Sequence, residues 1–215
     1  KKSHSNRLGE TPVLKLIGSM SAPAVVSMTV IAAYNLVDAI FIGRFVGDLG
    51  LAALASNIPV IVLFMGFSLF IGVGGSTAIS RWLGVGDKEG ADRILGTMMF
   101  MVLSLSVVSL LVAGFGVEWL LRVMGTSPGL IELASQYLTI HMLGAPLAIF
   151  TIAMNNVVRS EGNSRMAMMA MVAGALVNVI LDPLFIHTLG WGLRGAAGAT
   201  VVSHLLTTLI MLWYL

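Results

Sequence analysis

The chain has 215 residues, of which 57% are hydrophobic and only 10% are charged, with a formal net charge of +2 and no cysteine. Soluble domains contain roughly 45–50% apolar and about 25% charged residues, so the composition and the mean hydropathy of +0.96 exclude an ordinary soluble protein. The absence of cysteine also excludes disulfides and thiolate metal sites.

Six long apolar segments follow one another along the chain, each with the ~20 residues that carry a helix across the hydrocarbon core of a bilayer. These spans cover about residues 13–45, 49–80, 94–117, 133–158, 166–188 and 195–215, after a polar tail of residues 1–12. The pattern predicts an all-α membrane protein, a bundle of six transmembrane helices embedded in the lipid bilayer.

Positive side chains are divided unequally between the two ends of this predicted bundle. Nine of the twelve Lys and Arg residues fall in the tail, at Lys15 at the start of span one, and in the loops after spans two and four, against three at the opposite end. Because positive residues stay in the cytoplasm, we expect a multi-pass protein of the cell (inner) membrane with a cytoplasmic N-terminus. The same residues are scattered and lack an aromatic platform, so we expect no nucleic-acid partner.

The first span combines an interior proline with a polar stripe. Pro23 removes a backbone hydrogen bond and predicts a kink, which is either static or able to change its angle. Further along, one face at helical spacing is partly polar and should contact protein rather than lipid. Its members are Ser27, Ile31, Tyr34, Asn35 and Asp38.

The fourth span carries a polar face along its whole length. Small and polar residues recur there at helical spacing: Tyr137, His141, Gly144, Ala148, Thr151 and Asn155. Ordinary hydrogen bonds between helices, worth about 0.6 kcal/mol each, are one interpretation, and for His141 taken alone we prefer it. A stripe this continuous favours the other interpretation, the wall of a water-filled cavity.

The fifth and sixth spans bring further polar groups to faces built from small residues. In span five, Asn178 and Asp182 share a face, and Pro183 then disturbs the helix and frees carbonyls near Asp182 for a cation. In span six, one face combines alanine with hydroxyl side chains and should pack closely on another helix. It consists of Ala196, Thr200, Ser203 and Thr207.

Two aspartates, Asp38 and Asp182, are the acidic residues that interrupt a span, and both lie toward the predicted outer end. No Lys or Arg falls inside a span at their level, so the pair should hold either a proton or a metal cation. Sodium, a hard cation, would take oxygens from Asp38, Asn178, Asp182 and Thr200. The alternative is structural: Asp182 caps its helix while Asp38 reaches out to the interface.

Four segments resemble the N-terminal lobe of prokaryotic multidrug and toxic compound extrusion (MATE) transporters. They are NLVDAIFIGR (35–44), GVGGSTAISRWLGVGDKEGA (72–91), EGNSRMAMMAMVAGALVNVILDPLFI (161–186) and GLRGAAGATVVS (192–203). The resemblance covers almost the whole chain. It implies export of small-molecule drugs or dyes, mostly cationic, by antiport with Na⁺ or H⁺.

The resemblance also implies roles for individual residues. The family's cation site would map to Asp38, Asn178, Asp182 and Thr200, with Tyr34, Tyr137 and Asn155 in support and Pro23 as the bending proline. Members of the family have twelve spans in two lobes, so a second six-helix lobe is expected C-terminal to this segment.

Two other classes of function remain open. A lipid-linked oligosaccharide flippase of the same superfamily should line its cavity with basic residues that hold phosphates, and the interiors of the spans, away from their ends, contain none. A membrane scaffold that transports nothing should tolerate Asp38→Asn and Asp182→Asn. No nucleophile, base and orienting group recur at a workable spacing, so we expect neither an enzyme nor a cofactor beyond the coupling ion.

Overall fold

The computed structural model describes the backbone of residues 13–214 and the side chains of residue 18 and residues 21–214. The described residues form six long apolar helices and no strand, so the predicted six-helix membrane bundle is confirmed. The predicted tail, residues 1–12, lies outside the described residues.

The helices are α1 (Val13–Phe45), α2 (Asp48–Gly84), α3 (Lys88–Val123), α4 (Pro128–Ser160), α5 (Ser164–Thr188) and α6 (Gly192–Tyr214). α3 contains the π-helical turn Val112–Gly116, and α5 ends in the π-helical turn Leu184–Thr188. The shortest helix has 23 residues, about 35 Å at the helical rise, which suffices for a hydrocarbon core of about 30 Å.

Several helices continue beyond the apolar segments into charged sequence. α3 begins at Lys88, where the Asp87 side chain accepts a hydrogen bond from the Gly90 N–H at 2.9 Å and caps the helix. Ion pairs one helical turn apart, Arg93–Glu89 at 2.6 Å and Arg122–Glu118 at 3.4 Å, then support the two charged ends of α3. Hydropathy marks the part of a helix that lies in lipid, whereas these local contacts extend it on both sides.

Short turns join the helices in up-and-down order. Gly47, between α1 and α2, has φ of +89°, and Gly162, between α4 and α5, has φ of +88°. This left-handed conformation favours glycine, which carries no Cβ to collide with the carbonyl, and it lets the chain reverse within a few residues.

α4 lies at the centre of the bundle and packs against α2, α3 and α6, while α1 packs mainly on α5. Large apolar side chains cover the outer faces of the helices, as a lipid environment requires; the Phe115 side chain is 90% exposed and the Trp213 side chain is 84% exposed. Among the described residues, buried polar side chains occur on all six helices, including Asn57 of α2 and Ser109 of α3, and most of them lie on α4, α5 and α6.

Candidate functional site

Three polar side chains meet at the contact between α5 and α6. The Asn178 Nδ2 donates to Asp182 Oδ1 at 3.4 Å and to Thr200 Oγ1 at 3.5 Å, and the Thr200 hydroxyl donates to the Ala196 carbonyl at 3.1 Å. Asn178 and Asp182 are fully buried. The structure therefore brings together the predicted residues of spans five and six.

Asp38 joins this cluster from α1. Its side chain is buried, and its carboxyl group lies close to the Asp182 carboxyl group. The two aspartates therefore lie at the same depth and face each other.

The cluster contains more acceptors than donors. Asp38 Oδ1, Asn178 Oδ1 and Asp182 Oδ2 are all buried without a hydrogen-bond partner. The ion pairs in the described part of the chain join residues at the ends of α3, so neither aspartate has a basic partner there. Because buried, unpaired oxygens are costly, these residues fit a hard cation or added protons.

Proline and a π-helical turn place Asp182 at the end of the regular part of α5. Pro183 lacks the N–H that would bond to the Val179 carbonyl, and the backbone continues as the π-helical turn Leu184–Thr188. π-helical turns inside helices often accompany functional sites. The turn begins directly after Asp182 and Pro183. That it frees carbonyl groups near Asp182 for a cation stays a prediction.

The start of α6 packs directly on this turn. A Cβ atom added at Gly195 would lie 2.6 Å from both the carbonyl carbon and the carbonyl oxygen of Phe185. At a second contact between α5 and α6, a Cβ atom added at Gly174 of α5 would lie 2.2 Å from Thr207 Oγ1 of α6. Glycine at both positions allows the close approach that brings Thr200 to Asn178.

Two tyrosines flank the cluster. Tyr137 of α4 is buried with its side chain near Thr200, and its ring stacks on His141 with 5.7 Å between the ring centroids. Tyr34 of α1 is half-buried and lies close enough to interact electrostatically with both Asp38 and Asp182. Both predicted supporting tyrosines therefore adjoin the paired carboxylates.

Other predicted residues lie away from the cluster. Asn35 is exposed, because one residue of helix rotates its side chain by about 100° from that of Tyr34. Asn155 is buried near the opposite end of α4, where its Nδ2 donates to the Ala167 carbonyl of α5 at 3.0 Å. Pro23 is buried, and its carbonyl accepts a hydrogen bond from the Ser27 hydroxyl at 2.8 Å.

The polar face of α4 does not form one continuous cavity wall. A Cβ at Gly144 would lie 2.2 Å from the Val201 side chain, and the Thr151 and Thr208 hydroxyls hydrogen-bond at 3.0 Å. At these positions the face packs on α6, as the hydrogen-bonding interpretation requires. The sequence pattern could not distinguish hydrogen-bonded helix packing from the wall of a water-filled cavity, because both need small and polar residues on one helix face.

The Thr151–Thr208 contact allows a test of this helix packing by a double-mutant cycle. Replacing each threonine by valine, singly and together, should show a coupling of about 0.6 kcal/mol. Tryptophan fluorescence during thermal unfolding of the purified protein gives the stabilities, and Thr97→Val is the control because the Thr97 hydroxyl bonds only within its own helix. Strictly additive effects would show that the two hydroxyls do not interact.

His204 is a neighbour of the site that the sequence analysis missed. It follows Thr200 by four residues, about one helical turn, on α6. The spacing of four residues from Thr200 was a signal in the sequence, but it did not reveal which helix the imidazole would face.

Comparisons with known proteins agree with this architecture. The family model MatE matches residues 23–184. The multidrug export protein MepA of Staphylococcus aureus (strain MRSA252) is 27% identical over 205 residues, which are 95% of this chain and 46% of MepA. An FAD transporter of Shewanella oneidensis is 29% identical over 198 residues, 90% of this chain and 44% of that transporter.

A solved structure described as MATE in the bent conformation superimposes with a TM-score of 0.86 at 37% identity, covering 94% of this chain and 45% of that one. The chain thus spans about half the length of the relatives it matches.

Proposed function

This chain belongs to the MatE family, and from that premise we propose that the protein carrying it exports organic, mostly cationic compounds by antiport with Na⁺ or H⁺. The observation that supports the antiport is the buried pair Asp38–Asp182, whose oxygens lack both a basic partner and sufficient donors. Intramembrane acids of this kind are usually functional.

Asp38, Asn178, Asp182 and Thr200 would hold the coupling ion. For Na⁺ they offer two carboxylates, an amide oxygen and a hydroxyl, all of which are hard ligands. For H⁺ the two facing carboxyl groups offer a position in which one proton is shared between them. Either ion would reduce the repulsion between the carboxylates and draw α1 towards α5.

Coupling would follow from competition. With both carboxylates ionised, the negative charge favours a cationic compound in the adjacent cavity, and binding of one ion reduces that charge and contracts the site. Linkage requires the effect to be reciprocal, so the compound weakens ion binding by the same factor as the ion weakens binding of the compound. The interior proline Pro23 would supply the bend in α1, and a solved structure similar to this chain is described as MATE in the bent conformation.

The family relationship also supports a second lobe. Relatives are about twice as long as this chain, so we propose that a further six-helix lobe completes the transport path. The membrane would be the cell membrane, with the N-terminus in the cytoplasm, as the distribution of positive residues favours.

A cationic cargo fits the described helices better than an anionic one. The relative that transports FAD raises the alternative of a phosphate-bearing cargo. The described Lys and Arg residues, however, lie within about two turns of a helix end, where none reaches the middle of the membrane. The same observation weighs against a lipid-linked oligosaccharide flippase.

Efflux of a fluorescent cation from vesicles tests the proposal. Vesicles carrying the complete protein receive a sodium gradient or a pH gradient separately, with Asp38→Asn and Asp182→Asn beside the wild type. We expect one gradient to drive efflux and both substitutions to abolish it, which also names the ion. Glu132→Gln, at an exposed position of α4, is the control. Efflux that persists in both aspartate variants would rule out this site as the place of coupling.

A further inference from the structure

Three aromatic rings stack where α1 and α5 end, on the predicted outer side of the paired carboxylates. The Phe45 ring of α1 lies against the His187 ring of α5, with 4.5 Å between the centroids and 24° between the planes. On α1 itself, the Phe41 and Phe45 rings stack at 5.9 Å, and the Arg44 guanidinium lies 5.9 Å from the centroid of the Phe45 ring. The Phe45 ring is therefore held both by its own helix and by α5, through stacking and a cation–π contact.

This aromatic stack (Phe41, Phe45 and His187) continues the two helix faces that carry the aspartates. Phe41 and Phe45 follow Asp38 by three and seven residues, which places them on the same face of α1. On α5, His187 follows Asp182 by five residues, and the π-helical turn that ends α5 makes this spacing about one turn, because its N–H groups bond to carbonyls five residues earlier. α1 and α5 therefore approach each other twice, at the two carboxyl groups and again, nearer the outer end, at the rings.

The carboxylates lie much nearer to this end of the bundle than to the other. Measured along α1, Asp38 lies about 10 Å from Phe45, where the helix ends, and about 38 Å from the start of the helix. Along α5, Asp182 lies about 9 Å from Thr188, where the helix ends, and about 27 Å from its start. A coupling ion that arrives from the predicted outer side therefore has its shortest route between the ends of α1 and α5.

The aromatic stack lies across this route. The Phe45 and His187 side chains are exposed, whereas both aspartates are buried. The start of α6 closes an adjacent side, because a Cβ atom added at Gly192 would lie 3.8 Å from the Val46 side chain at the end of α1. The rings thus stand between the surface and the two buried carboxyl groups.

We propose that the aromatic stack is the outer gate of the coupling-ion site, where Phe45 and His187 part to admit the ion to Asp38 and Asp182 and close again over it. This inference rests on the proposed antiport. Closed rings exclude a hydrated cation, yet the contact of one aromatic pair changes an equilibrium by only about tenfold, so thermal motion can open it. Movement of α1 towards α5 on ion binding brings the rings together, so the occupied site is the closed one.

Chemical labelling of a cysteine at the site measures access through the gate. The chain has no cysteine, so Asp38→Cys introduces a single thiol into it, and any cysteine of the second lobe is replaced by serine in the complete protein. The reagent is a small cation that arrives through water, methanethiosulfonate ethylammonium, and mass spectrometry follows the rate of labelling. We expect Phe45→Ala and His187→Ala each to raise this rate by about 2–13-fold, the factor by which loss of one aromatic pair favours the open gate.

Two further variants separate gating from loss of structure. His187→Phe keeps an aromatic ring at this position, so it should label as slowly as the protein with both original rings. Phe115→Ala is the matched control, because the Phe115 side chain is 90% exposed in the outer half of α3, and its labelling rate should be unchanged.

Unchanged labelling in both Phe45→Ala and His187→Ala would overturn the gate, because the ion would then reach the site by another route. Fast labelling in His187→Ala that His187→Phe does not reverse would assign the effect to disturbed folding and would also overturn it. The antiport fails on a different measurement, since the efflux assay does not depend on the labelling rate of a cysteine at position 38.

Discussion

The substitution Asp182→Asn is expected to abolish the coupling between dye binding and ion binding. In the wild type, the coupling ion should weaken binding of a cationic dye by about 5–150-fold, and in the variant this ratio should fall to about 1. The substitution keeps the size of the side chain beside Asn178 but removes one of the two facing charges. Dye titrations of the purified complete protein, with and without the ion named by the efflux assay, measure the ratio.

The control for this prediction is Asp92→Asn. Asp92 is exposed near the start of α3. The substitution Asp92→Asn removes the same charge at a distance from the cluster, so the ratio of dye affinities without and with the ion should equal that of the wild type. A wild-type ratio in Asp182→Asn would show that ion and dye are coupled elsewhere. Equal ratios of 1 in all three proteins would contradict competition as the coupling mechanism.

Gly195→Ala is expected to destabilise the protein and to disturb the site. The new Cβ would lie 2.6 Å from the Phe185 carbonyl group, and because this neighbour is backbone rather than a flexible side chain, α6 must move away from the π-helical turn. Overpacking of this kind costs about 1–3 kcal/mol. That cost corresponds to a decrease of roughly 2–12 °C in the unfolding temperature for a chain of this size.

Gly198→Ala provides a matched control on the same helix. A Cβ there would lie 3.5 Å from the Phe185 ring, which is ordinary van der Waals contact, and alanine is the better helix former. This variant should unfold at or slightly above the wild-type temperature when tryptophan fluorescence is followed during heating. If Gly195→Ala matches Gly198→Ala in stability and in dye binding, close packing at the π-helical turn does not position Thr200.

Individual residues show how far the sequence reached into the site. The four-residue spacing of Asn178 and Asp182 predicted one shared face, and the structure joins them by a hydrogen bond at 3.4 Å. The juxtaposition of Asp38 with Asp182 was inferred from depth alone. Depth follows from counting residues along each helix, but two helices at equal depth need not be neighbours.

The polar face of α4 shows the opposite case. Its periodicity is clear in the sequence, but Thr151 meets Thr208, Asn155 meets the Ala167 carbonyl, and Tyr137 reaches Thr200. Helical spacing says which residues of one helix lie together and nothing about the partner helix. His204 was missed for the same reason.

By itself the sequence determined that the chain crosses a membrane in six helices, because apolar segments of this length must bury their backbone hydrogen bonds within themselves. It also determined which acidic residues lie in the hydrocarbon core, because an acidic residue inside a long apolar segment is rare and is recognised directly in the sequence. Only the tertiary structure decided that α1, α5 and α6 join these acids to Asn178 and Thr200. Lateral packing in lipid depends on close contacts between small residues, such as Gly195 against Phe185, and these contacts arise between helices far apart in sequence.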